Sequence, residues 1–196
     1  MQNWKVKAKN LYIAILSMVC LTSCYKPSAP IYYQSLDTVL TSGRLEYYGQ
    51  FYKREGVDYD VVSLDLYSEG LGLNEEGVME GTGTNLYISD IFLTGATLID
   101  NDPSSVLPEG TYVSDSTAVE GHFLRGMNYD GNYGGSYVLL MGEQRSYSVL
   151  PMVIGEMTVS YVDDTLVLDG VATLDGQKRP YLFHYRNILP TIDRAR

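Results

Sequence analysis

The sequence predicts an all-β protein, and three observations carry that expectation. Short apolar–polar alternations bounded by Gly, Asp and Asn recur along most of the chain. No stretch after the first three dozen residues shows an apolar stripe at helical spacing. Tyrosine outnumbers phenylalanine 18 to 4, a balance that favours half-buried strand residues with a wet hydroxyl. An antiparallel β-sandwich is the expected architecture, with a closed, calycin-like β-barrel as the alternative.

The chain opens with a basic segment holding Lys5, Lys7 and Lys9, followed by an apolar run from Leu11 to Leu21. Spanning a bilayer takes about 20 apolar residues. This run has 11 before a polar stretch containing prolines, so it reads as a secretory signal over residues 1–23. Its ending, Leu21-Thr22-Ser23-Cys24, resembles the lipobox of bacterial lipoproteins. The resemblance implies cleavage before Cys24, a diacylglyceryl thioether on its sulfur and an acylated amino group. It also implies a protein held to the outer membrane by that lipid, whose second and third chains make the attachment stable. Surface-exported members of such families carry acidic residues soon after the cysteine. Here Tyr25-Lys26-Pro27-Ser28 follows, with no acid before Asp37, which leaves the periplasmic and cell-surface sides both open.

Cleavage sharpens the composition. Cys20 leaves with the signal and Cys24 is lipidated, so the mature domain holds no disulfide and depends on packing. Trp4 leaves too, and it is the single tryptophan. Loss of three lysines moves the net charge from −10 to about −13. Nucleic-acid binding needs a basic footprint, and none is present; the membrane is expected as a partner through the lipid anchor alone.

Residues 24–42 are expected to be the lipidated cysteine and a proline-containing tether, and 43–196 a single β-rich domain. Strands are expected over 44–52, 59–67, 85–93, 111–114, 119–124, 136–141, 147–154, 157–162, 165–173 and 181–186. Asp163-Asp164 and Asp175-Gly176-Gln177-Lys178 join the last three strands into a meander of hairpins. Alternation in the last of them sends Tyr181, Phe183 and Tyr185 to one face, and Leu182 and His184 to the other. Residues 70–82, 100–110 and 126–135 are the long breaks.

No catalytic residue is assigned, and the protein is not expected to be an enzyme. The chain has no Gly-x-Ser-x-Gly elbow and no His-Glu-x-x-His. Its two histidines, His122 and His184, stand far apart, and His184 reads as a structural residue between Phe183 and Tyr185. No metal ligand is assigned and no cofactor is expected, calcium being the ion that the composition leaves open. Asn128-Tyr129-Asp130-Gly131-Asn132 begins like an EF-hand loop, but Tyr133 stands where glycine is needed and Leu139 where the bidentate glutamate belongs. Turn chemistry accounts for these residues without an ion.

The segment with the composition of a recognition loop is 128–137, NYDGNYGGSY, in which Tyr supplies contact area and Asn, Gly and Ser supply adaptable hydrogen bonds. Tyr129, Asp130, Asn132, Tyr133 and Tyr137 are the candidate ligand-binding residues, with Tyr129 and Tyr133 offering a stacking surface for a glycan ring or a partner's side chain. Asp37-Thr38-Val39, Asp115-Ser116-Thr117 and Asp164-Thr165-Leu166 are similar to the O-glycosylation motif of exported Bacteroidetes proteins. That resemblance implies modification at Thr38, Ser116 and Thr165. The tyrosine-rich, cysteine-poor strands behind a lipobox, and above all the stretch 156–187, resemble envelope lipoproteins of the same phylum. The expected function is a non-catalytic, lipid-anchored envelope protein that binds a glycan or a protein partner. The alternatives are a fimbria-like structural or adhesin subunit, and a carrier of lipid or small ligands or a hydrolase without a recognisable motif.

Overall fold

Alternation of apolar and polar residues produces strands throughout the computed structural model, which describes residues 37–143 and 146–195. The signal, Cys24 and most of the tether lie outside the described residues. The strands are β1 (Thr38–Gly49), β2 (Asp60–Ser68), β3 (Leu71–Leu73), β4 (Met79–Gly81), β5 (Gly83–Leu93), β6 (Gly110–Asp115) and β7 (His122–Leu124). They continue with β8 (Met127–Tyr129), β9 (Asn132–Gly134), β10 (Tyr137–Met141), β11 (Tyr147–Val162), β12 (Thr165–Leu174), β13 (Tyr181–Asn187) and β14 (Thr191–Asp193). Short 3-10 turns occur at Lys53–Glu55 and Pro103–Ser105. The protein is all-β, as its sequence predicts.

The ladder closes on itself. Running β1–β2–β5–β10–β11–β12–β13, it returns to β1 because Thr38–Leu40 pair with Phe183–Tyr185. Most pairs are antiparallel, whereas β1–β13, β1–β14 and β6–β7 are parallel. The long strands β5 and β11 each pair first with β10 and then, farther along, with β7 and β6 respectively. The short strands thus fill one gap in the wall at two levels, and the sheet is barrel-like.

The barrel interior is apolar. Leu64, Leu66, Leu86, Ile88, Phe123, Leu168 and Phe183 project into it with no exposed surface. Each such side chain contributes about 1.5–3 kcal/mol on burial, the packing that a disulfide-free domain needs. The outer wall carries Arg44, Glu46, Asp65, Glu156, Asp169 and Arg186 instead. Apolar inside and charged outside is the reverse of a membrane-spanning barrel.

Register shifts at four places reset the alternation. On β5 the core residues change from Leu86 and Ile88 to Ile91 and Leu93, and the extra residue is Asp90, at φ 49°. Register also shifts in β1 between Leu40 and Ser42 and between Tyr47 and Gly49, and in β11 between Met152 and Ile154. A strict period of two would turn half of each strand's apolar residues outward.

The strands differ from the sequence expectation at several places. β1 begins at Thr38, inside the stretch expected as tether, because its first residues take β13 as a partner. The strands expected over 147–154 and 157–162 are one strand, β11. Gly155 inside it marks close packing rather than a break, since a Cβ there would lie 2.5 Å from the Met152 sulfur and 3.0 Å from Phe123 Cζ. The breaks at 70–82 and 126–135 hold two-stranded ribbons, β3–β4 and β8–β9. Leu45 N donates to Pro190 O at 2.9 Å where β14 joins β1, a strand the sequence reading did not include.

Candidate functional site

The candidate recognition loop is an ordered hairpin with a pinned root. Gly126 N donates to Met152 O at 2.7 Å, Met152 N to Ser136 O at 2.9 Å, and Ser136 N to Leu124 O at 3.1 Å. Ser136, fully buried, donates its hydroxyl to Leu124 O at 2.6 Å and accepts from Ser89 N at 2.9 Å. The two chains cross so closely here that a Cβ on Gly135 would lie 2.0 Å from Arg125 O, and one on Gly126 2.1 Å from Ser136 O. At the tip, Asp130 (φ 50°) and Gly131 (φ 88°) turn the chain in the left-handed conformation that a two-residue hairpin requires.

Cross-strand partners share a face of a ribbon. The register is Tyr129 opposite Asn132 and Asn128 opposite Tyr133. Tyr129 and Tyr133 therefore project from opposite faces, and the single two-ring stacking surface expected from the sequence does not form. Each face instead presents one tyrosine beside one asparagine. Tyr129 is 65% exposed and Tyr133 47%, and the Tyr129 hydroxyl reaches only the Met127 sulfur, at 3.2 Å. Asp130 is at the tip and Asn132 on the Tyr129 face, both exposed. The EF-hand likeness dissolves at the same point. Asn128 Oδ1 accepts from Gly131 N at 2.9 Å and faces away from Asn132, so these oxygens do not converge on one ion.

Tyr137 belongs to a different environment. It is half-buried on the outer wall of β10, its ring 5.3 Å from that of Tyr87, and burial pushes its hydroxyl pKa up to about 12. This wall carries a polar network that the sequence did not suggest. Arg44 Nη2 lies 3.2 Å from Asp65 Oδ2, and Arg44 Nε 3.4 Å from Glu46 Oε1. Tyr48 donates to Glu46 at 2.6 Å, Arg194 to Glu46 at 3.1 Å, Asn85 to Asp65 at 2.6 Å, and Tyr67 to Asp65. Burial raises the Glu46 carboxyl, but Tyr48, Arg194 and Arg44 outweigh it and leave the group below its ordinary value. Asp90 is the opposite case: burial raises it, and the Tyr52 hydroxyl at 2.9 Å only partly compensates.

Beside this network an open groove of about 1010 Å³ runs between the 3-10 turn after β1 and the segment after β14. Tyr48, Phe51, Lys53, Arg54 and Arg194 line it, with Gln50, Glu55, Asp193 and Ala195. Phe51 is 60% exposed and held by edge contacts to Tyr48 and Tyr52, with ring centroids 5.7 and 4.9 Å away.

The histidines have local partners. His184 Nδ1 lies 2.5 Å from Asp169 Oδ1 on the neighbouring strand, with Asp37 3.6 Å from Nε2, and His122 Nδ1 lies 2.9 Å from Glu120 O. Among the described residues no group of three or more His, Cys, Asp or Glu is arranged to hold a metal. Of the three residues in glycosylation-like motifs, Ser116 is exposed in the bend after β6. Thr38 and Thr165 open β1 and β12 and are half-buried. Asp115 accepts from Thr117 N and Oγ1 at 2.9 and 2.8 Å, which fixes the bend around Ser116.

No family model matches the chain, and no curated protein or solved structure is significantly similar to it.

Proposed function

We propose that this is a non-catalytic envelope protein, held to the outer membrane by lipid on Cys24, that binds a glycan through the hairpin β8–β9. The observation that carries the reading is the exposure of Tyr129 and Tyr133 on a backbone pinned at its root by Gly126, Ser136 and Met152. An aromatic ring offers the C–H face of a sugar a flat apolar surface, and the neighbouring amide offers hydrogen bonds to its hydroxyls. Rigid placement lowers the entropic cost of binding. One Tyr–Asn pair on each face suits a chain that passes along the hairpin or two chains that flank it. The acidic surface suits a neutral or cationic glycan at this element better than a nucleic acid.

The fimbria-like alternative requires a strand edge to receive or donate a partner. Every strand of the ring has neighbours on both sides, so the sheet offers that reading little support. The carrier alternative requires a cavity inside the barrel, where Phe123, Met152, Met157 and Phe183 are packed.

Glycan-array binding by the mature domain, followed by tyrosine fluorescence titration, tests the proposal. The expected result is a saccharide that perturbs the fluorescence of the wild type and is lost in Tyr129→Ala/Tyr133→Ala. An array without hits, or a ligand retained by the double variant, overturns it. Mass spectrometry of the protein from the membrane fraction is expected to show acyl chains on an N-terminal Cys24, and an unmodified Cys24 would remove the anchor from the reading.

A further inference from the structure

We infer that the groove after β1 is a second binding site, built for the carboxylate-bearing sugar of an acidic glycan. The inference takes from the function proposed above only the choice of a sugar as ligand; the residues are different.

Charge is the first observation. The chain carries 24 acidic residues against 14 basic, yet Lys53, Arg54 and Arg194 meet along one groove. Among the described residues Arg54 makes no hydrogen bond or ion pair, so its whole guanidinium fork is available to a bidentate carboxylate. Arg194 is oriented by Glu46 at 3.1 Å and Lys53 by Gln50 at 2.8 Å. Each keeps further N–H groups for a ligand, since Lys has three donors and Arg five.

The second observation is the ring of Phe51. It is 60% exposed in the groove and its ring is braced by Tyr48 and Tyr52, so it offers a fixed apolar face to a ligand. A pyranose stacks on such a ring while its carboxylate reaches the guanidinium. Glu55 and Asp193 discriminate among anions. They repel a phosphate dianion more strongly than a carboxylate monoanion, and their oxygens accept the hydroxyl hydrogens that a sugar supplies and inorganic phosphate does not.

Calorimetric titration of the mature protein with a tetrameric oligouronate, a neutral oligosaccharide of the same length and inorganic phosphate tests the site. With the hairpin disabled by Tyr129→Ala/Tyr133→Ala, saturable binding of the uronate alone is expected. It should weaken about tenfold or more in Arg54→Gln and in Phe51→Ala. It should also weaken as salt rises from about 50 to 500 mM. Both substituted residues are exposed, and an unchanged unfolding midpoint verifies that each variant is folded. Absence of uronate binding overturns the inference, as does equal binding of the neutral sugar or of phosphate in that hairpin variant. Uronate binding kept by both groove variants but lost in Tyr129→Ala/Tyr133→Ala also overturns it, and leaves the hairpin as the glycan site. Uronate binding that survives the double hairpin variant, with no neutral-glycan binding in the wild type, removes the hairpin reading and keeps the groove.

Discussion

Gly170 lies directly beneath the ring of Phe183 across the β12–β13 ladder, so near that a Cβ on it would stand 2.1 Å from Phe183 Cζ. Phe183 is itself fully buried and stacked on Tyr181 at 5.8 Å, which leaves the ring nowhere to retreat. Its backbone conformation is an ordinary one, so space alone dictates the glycine. Gly170→Ala is expected to destabilise the domain by about 1–3 kcal/mol, read from urea unfolding. Adding Phe183→Leu should recover part of that loss, and a double variant no better than the sum of the single changes would rule the contact out as its cause.

Ser136 holds the hairpin root to two strands at once, through Leu124 O and Ser89 N. Ser136→Ala removes a hydroxyl and leaves the Ser89 amide buried without that acceptor. The expected cost is about 1–3 kcal/mol. Hydrogen exchange should quicken at Ser89 and in β8–β9 before the rest of the barrel. Uniform acceleration through all strands would instead assign Ser136 to the global core.

Glu46 and Asp90 give stability opposite dependences on pH. The Glu46 pKa lies below its ordinary 4.5 in the fold, so its contribution is present above that value and lost as pH falls through the folded one. Asp90 is raised from 3.8, so its contribution is present below that value and lost as pH rises through the folded one. Chemical denaturation across about pH 2.5–7 is expected to show Glu46→Gln less stable than wild type near neutrality, with the gap narrowing in acid. Asp90→Asn keeps an acceptor for Tyr52 and a residue tolerant of positive φ. It is expected to be the more stable protein near neutrality, with its advantage fading in acid. Parallel curves for both variants would show that neither carboxylate is coupled to folding.

The hairpin meander 157–186 was legible because alternation there is unbroken and the turns are Asp-Asp and Asp-Gly. Tyr181, Phe183 and Tyr185 point inward and Leu182 and His184 outward, as expected. The bulge at Asp90 and the continuity of β11 through Gly155 were not legible. Each depends on what the partner strand and the opposite wall place beside it. The outer-wall network escaped for the same reason: Arg44, Asp65, Asn85 and Arg194 are scattered in sequence and meet only through strand pairing.

By itself the sequence determined that this chain makes strands and that it is acidic. Those properties follow from composition and from a local period of two. Tertiary structure decided that the ladder closes, since closure depends on β1 meeting β13 across nearly the whole chain. It also separated Tyr129 from Tyr133, because a ribbon's faces are assigned by register, and register is set by the cross-strand partner rather than by spacing along one strand.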